Sequence, residues 1–107
     1  MNKKICVIGA GYWGKNHIKT CHSLGVLSGV VDSNKEALDE IRINYPNLDV
    51  FSDIESAFNK SFDGFILATP AGTHYELAKH IILNNYDILI EKPMTLNLKD
   101  AIKLNAL

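Results

Sequence analysis

Cysteine is almost missing from this chain. Cys6 and Cys21 are the only two in 107 residues, too few for a disulfide-built scaffold, so a reduced, cytoplasmic setting is expected. Proline is scarce as well, at three residues. With no internal repeat or low-complexity stretch, collagen-like and disordered classes are excluded. No surplus of either charge exists: 11 Lys and Arg stand against 12 Asp and Glu, for a net charge of −1. A chain without a broad basic field is not expected to partner nucleic acid or an anionic membrane surface. Long apolar runs are absent too. Nothing approaches the roughly 18 residues a membrane span needs, and the run after Lys3-Lys4 is cut by Gly9, which argues against a signal peptide. Any anionic ligand must therefore be held by local geometry.

What is present is an alternation. The composition is 47% hydrophobic, enough for one domain with a real core over residues 1–107. Ile5-Cys6-Val7-Ile8 reads as a strand buried on both faces. After the glycines, Gly14, Ile18, Cys21 and Gly25 form a helical stripe. Val26 to Val31 is a second strand. Ser33-Asn34 then offer a cap for a helix carrying Ala37, Leu38, Ile41 and Tyr45, stopped by Pro46. Asp49-Val50-Phe51 is a third strand, and Ser52 or Asp53 caps a brief helix through Ile54, Ala57 and Phe58. Gly64 to Ala68 is a fourth strand. Thr73 opens a helix with Leu77, Ala78, Ile81 and Ile82, ended by Asn84-Asn85, before a fifth strand from Tyr86 to Ile90. Asn97 caps a last helix, with Leu98, Ala101, Ile102 and Asn105 expected on one face. This βα alternation predicts an α/β fold of the Rossmann type: a doubly wound parallel sheet of about five strands, in the order 3-2-1-4-5, with helices on both faces.

Gly9-Ala10-Gly11-Tyr12-Trp13-Gly14 is a G-x-G-x-x-G turn. Alone the pattern is weak. Here it follows a strand, opens a helix and lies in a βαβ unit of about 30 residues. Gly9 permits the tight reversal, Gly11 leaves no Cβ between backbone and a pyrophosphate, and Gly14 lets helix and strand approach. The anion then rests on helix N-terminal N–H groups and needs no lysine cluster. The amides of Tyr12 and Trp13 fall in that first turn; ordinary packing of their rings at the helix entrance is the alternative. Asp32, which closes the second strand, is placed to accept hydrogen bonds from the adenosine ribose hydroxyls and to repel a 2′-phosphate. That favours NAD over NADP, although Lys35 nearby keeps NADP open. The competing reading has Asp32 merely capping the next helix.

Ligands in open α/β sheets bind beyond the carboxyl ends of the strands. Two polar clusters fall there: Ala68-Thr69-Pro70-Ala71-Gly72-Thr73-His74 and Glu91-Lys92-Pro93. Together with Gly9 to Gly14 and Asp32, these motifs resemble the N-terminal domain of the Gfo/Idh/MocA oxidoreductases over the whole chain. Glu91-Lys92-Pro93 is the most specific part. The wording Gly11 to His17 is similar to a branch oxidising the 3-hydroxyl of UDP-N-acetylhexosamine derivatives. The resemblance implies that Lys92 contacts the substrate hydroxyl and assists proton movement, and that Pro93 follows a cis peptide. It also implies that Glu91 lines the nicotinamide side and that Thr69, Pro70 and His74 contact the cofactor. A lysine suits such a role once desolvation or a neighbouring positive charge lowers its pKa. Members of the family continue into a second α/β domain that supplies most substrate contacts, a catalytic histidine and the usual oligomer interface. The chain is therefore expected to be a fragment that binds cofactor and turns over poorly alone.

Other signals are weaker. His17 and Cys21, at i and i+4, have a chelating spacing, but without further ligands no metal is expected. His80 reads as a solvated residue and Cys6 as core. Two alternatives to a sugar or nucleotide-sugar dehydrogenase remain. One is an S-adenosylmethionine methyltransferase, against which the glycine spacing and Glu91-Lys92-Pro93 argue. The other is a non-catalytic dinucleotide sensor.

Overall fold

The computed structural model describes residues 3–107. Five strands, β1 (Ile5–Ile8), β2 (Leu27–Val31), β3 (Asp49–Phe51), β4 (Gly64–Leu67) and β5 (Asp87–Ile90), alternate with α1 (Tyr12–Ser23), α2 (Lys35–Asn44), α3 (Ile54–Ala57), α4 (His74–Leu83) and α5 (Leu98–Asn105). The sheet is wholly parallel, in the order β3-β2-β1-β4-β5. The predicted architecture is the observed one.

Side-chain alternation along β1 divides the interior into two cores. Cys6 and Ile8 join Val31, Phe65, Leu67, Ala78 and Ile81 on the face covered by α3, α4 and α5. Val7 joins Ile18, Cys21, Val30, Leu38 and Ile41 beneath α1 and α2. Five aromatic rings, Phe51, Phe58, Phe62, Phe65 and Tyr86, pack edge-to-face or stacked within the first core.

Caps set the helix boundaries. Asn34 accepts hydrogen bonds from the Glu36 and Ala37 amides and so starts α2 at Lys35. The helix stops at Asn44, because a residue before proline disfavours the helical region and Tyr45 precedes Pro46. Asp53, not Ser52, caps α3 through the Ser56 amide, and Asn97 caps α5 through the Asp100 amide.

Two expectations, on Gly25 and on α5, need correction. Gly25 lies beyond α1 rather than on its stripe; it takes φ +74° in the reversal that follows the Leu24 cap. Thr73 opens α4 as its N-cap residue, as expected, although its side chain makes no cap hydrogen bond. Its hydroxyl is engaged by Thr69 and by the Pro70 carbonyl, and a 3-10 turn over Ala71–Thr73 precedes the helix. On α5 the expected face points outward: Leu98 and Ile102 are exposed while Leu104 is buried. Packing against α4 and the first core decides that rotation, not the local spacing of apolar residues.

The parallel register aligns the strand ends. Ile8, Leu67 and Ile90 are partners across β1, β4 and β5. One residue further on, the Gly9 amide donates to the Val31 carbonyl, Ala68 to Ile8 and Glu91 to Leu67. The glycine turn, the Thr69 loop and the Glu91 turn thus leave the sheet at one level. Adjacent strands lie about 4.8 Å apart, so the first and last of these turns start about 10 Å from each other.

Candidate cofactor site and the Lys92 turn

The glycine turn is shaped by contact with its surroundings. Gly9 takes φ +102°, and a Cβ there would stand 2.8 Å from the Ala68 carbonyl oxygen. Gly14 is buried on α1, and a Cβ there would run into the Gly9 carbonyl. Gly11 differs from both. A Cβ on it would meet nothing within 4 Å, and the residue lines a cavity of about 650 Å³. No side chain caps α1, whose N-cap is Gly11, so the amides of its first turn keep their donor capacity for an anion. A pyrophosphate fits this open, uncapped helix start.

Asp32 stands at the other side of that cavity. One carboxylate oxygen accepts the Ala10 amide at 2.7 Å, and the other accepts the Asn34 amide at 2.8 Å. The residue therefore does not cap α2. It fastens the glycine turn to the end of β2, and each oxygen still has a lone pair for a ribose hydroxyl. Asp53 and Glu55 line the same cavity, and among the described residues no Lys or Arg does. Three carboxylates without a cation disfavour an added 2′-phosphate, as NAD rather than NADP requires. Lys35, the candidate phosphate partner, sits exposed at the start of α2 and outside the lining.

Of the other expected contacts, Thr69 and Pro70 line the cavity. The Thr69 and Thr73 hydroxyls are 2.6 Å apart, and Thr73 donates to the Pro70 carbonyl at 2.7 Å, which stiffens the loop. Tyr12 and Trp13 are 77% and 59% exposed, their rings edge-to-face at 5.2 Å, and both lie outside the cavity. His74 does not face the cavity at all. It is 1% exposed, with Nε2 2.8 Å from the Thr69 carbonyl oxygen. Nδ1 is 2.9 Å from that of Pro93 and 3.1 Å from that of Met94.

Glu91 likewise lies outside the cavity lining. Its Oε2 is 2.6 Å from His17 Nε2, and its Oε1 accepts the Lys92 amide at 3.3 Å. The His17 hydrogen bond holds the Glu91 carboxyl below the usual glutamate range against a smaller opposing effect of desolvation, with the Lys92 amide adding to the lowering. His17 is thus committed to Glu91, and Cys21, its supposed chelating partner, is buried in the second core. The Lys92–Pro93 bond is cis, and both residues are exposed.

Besides strand-end residues of the sheet, the cavity is lined by Ser33, Ser52, Asp53, Ile54, Glu55 and Leu77, which sequence reasoning did not assign to it. A signal existed for Ser52 and Asp53: they follow β3 as Asp32 follows β2, so the strand-end rule applied to them as well. Ile54 and Leu77 had no such signal, since their apolar side chains read as ordinary core.

Residues 3–107 match the model of the oxidoreductase family with an NAD-binding Rossmann fold. Among characterised relatives, the chain is 30% identical over 100 residues to the UDP-N-acetylglucosamine 3-dehydrogenase of Acidithiobacillus ferrooxidans, covering 89% of this chain and 30% of that protein. It is 28% identical over 105 residues to an inositol 2-dehydrogenase of Pseudarthrobacter chlorophenolicus, covering 94% and 31%. The structure superposes on the WlbA dehydrogenase of Bordetella pertussis, solved with NADH and UDP-GlcNAcA, with a TM-score of 0.91 at 26% identity, covering 98% of this chain and 32% of that one. The chain thus spans about a third of the length of the relatives it matches. No methyltransferase reading survives this match, and the chain belongs to the Gfo/Idh/MocA oxidoreductases, within their NAD-binding Rossmann domain.

Proposed function

We propose that residues 1–107 are the dinucleotide-binding domain of a dehydrogenase that oxidises a hydroxyl carbon of a sugar or nucleotide-sugar. One observation carries this reading: the phosphate-facing glycine turn and the Lys92 turn leave the ends of β1 and β5 at the same level, with only β4 between them. Gly11 and the amides of α1 seat the pyrophosphate, Asp32 takes the adenosine ribose, and Thr69 and Pro70 bound the path towards β5. Tyr12 and Trp13 serve through their backbone amides. Bound NAD supplies the hydride acceptor. Lys92 sits beside the carbon that gives up hydride and takes part in moving the hydroxyl proton, which must leave as the carbonyl forms. Glu91, Pro93 and His74 hold that turn in place. Of the sugar hydroxyls, the 3-position of a UDP-N-acetylhexosamine is the first to try, because a relative of that activity matches nearly the whole chain in sequence and in structure.

Calorimetry with NAD+ and NADP+ tests the binding half, and NAD+ is expected to bind more tightly. The full-length protein, incubated with NAD+ and either UDP-N-acetylglucosamine or myo-inositol, should form NADH by absorbance. Lys92→Ala should abolish most of that turnover and leave NAD+ affinity unchanged. Tight binding with no turnover on any polyol or nucleotide-sugar would favour the dinucleotide-sensor reading instead.

A further inference from the structure

Lys92 occupies an exposed turn, yet proton transfer demands that a side chain be held to within about 0.5 Å. Nothing in Lys92 itself supplies that precision. Its neighbours do. On one side Glu91 reaches His17 on α1, 74 residues away in sequence, at 2.6 Å. Both side chains are about a quarter exposed, at 26% and 25%. The second oxygen of the same carboxylate accepts the Lys92 amide. On the other side the carbonyls of Pro93 and Met94 converge on Nδ1 of His74, which is buried and whose Nε2 meets the Thr69 carbonyl. The anchors themselves stand on the cofactor site. His17 lies in the second turn of the helix whose N-terminus faces the phosphate seat, and Thr69 lines the cavity.

Resting on the reading of Lys92 above, we propose that His17 and His74 are positioning residues for it. His17 acts through Glu91, and His74 through the Pro93 and Met94 carbonyls. Neither touches the reacting atoms. Between them they join the Lys92 turn to the two segments that seat the dinucleotide, so cofactor and lysine keep one spacing. Lys92 is braced before and after, and only its side chain is left free to meet the substrate.

The test uses the full-length protein with NAD+ and UDP-N-acetylglucosamine as probe substrate. His17→Phe keeps a ring but removes the hydrogen bond to Glu91. It should lower kcat by about 100-fold, the effect of misplacing a catalytic group by about 1 Å, while the NAD+ dissociation constant stays within about threefold. His17→Gln, whose amide can still donate to Glu91, should recover most of the loss. Without NAD+ or substrate present, hydrogen exchange at the Lys92 amide should speed up in His17→Phe, with exchange in α1 unchanged. His74→Phe should show the same split between turnover and cofactor affinity, and His74→Gln, whose amide can still donate to a carbonyl, should recover part of the loss; if His74→Phe fails to fold, the His17 pair of variants still decides. An unchanged kcat in His17→Phe, or an equal loss of NAD+ affinity, overturns the proposal. If Lys92→Ala itself retains turnover, the reading of Lys92 fails instead, and the exchange measurement judges the brace separately.

Discussion

Gly11 and Gly14 are three residues apart in one motif, but replacing them should produce opposite phenotypes. In Gly14→Ala the new Cβ would stand 2.6 Å from the Gly9 carbonyl carbon and closer still to its oxygen, with both partners in backbone. Overpacking of this rigid kind costs about 3 kcal/mol, and Ala in place of Gly within a helix returns about 1 kcal/mol. The net loss is about 2 kcal/mol, a fall of roughly 10 °C in Tm for a domain of this size. In Gly11→Ala the methyl meets nothing within 4 Å, and the backbone, at φ −75° and ψ −161°, already suits alanine. Ala is a poorer N-cap than Gly, by up to about 1 kcal/mol, but it restricts the unfolded chain by a similar amount, so stability should shift by less than about 0.5 kcal/mol. The methyl projects where the phosphate must approach. NAD+ affinity should then fall by about 100-fold, equivalent to about 2.7 kcal/mol. Circular-dichroism melts and calorimetry on both variants separate the two effects. A Gly11→Ala variant that melts well below the parent, or binds NAD+ normally, refutes the assignment of Gly11 to the ligand. A Gly14→Ala variant with unchanged Tm refutes the assignment of Gly14 to packing.

Asp32→Ala should both weaken NAD+ binding and lower stability by about 1–2 kcal/mol, because the Ala10 and Asn34 amides lose their acceptor; calorimetry should also show a smaller preference for NAD+ over NADP+. The Glu91 carboxyl is depressed by His17, so its contribution to stability is complete above the ordinary glutamate value and is lost as pH falls through the lower folded value. A carboxyl-carbon NMR titration should place its midpoint below that of an exposed glutamate, and His17→Phe should raise it. Cys6 is fully buried, and desolvation pushes its thiol strongly up; burial also raises Cys21. Neither should react with a thiol reagent at neutral pH until the protein unfolds, and rapid labelling of Cys6 in the native protein would contradict the placement of β1 at the centre of the sheet.

The sheet was legible because each strand announces itself locally. Ile5 to Ile8 and Gly64 to Leu67 are short apolar runs bounded by polar or turn residues, and a βα alternation permits few topologies. The glycine turn and Asp32 were readable for a similar reason: their spacing reflects geometry internal to one βαβ unit. What escaped depends on contacts between distant segments. Nothing near His17 points to Glu91. The burial of His74 follows from the Pro93 and Met94 carbonyls closing over it, which no local pattern encodes. The face of α5 was misjudged because Leu98 and Ile102 are apolar at helical spacing, yet the packing of α5 on α4 selects Leu104. A short helix with apolar residues on more than one side leaves its rotation to its neighbours.

The hold of His74 on the Lys92 turn is a hold on main-chain oxygens. Such a grip is indifferent to which side chains the gripped residues carry. At position 94 almost any residue would present the same carbonyl to the imidazole, while its own side chain, exposed in Met94, remains available to whatever lies across the site. Position 94 can therefore change its side chain without a structural penalty, while the carbonyl contact of the same residue stays as it is.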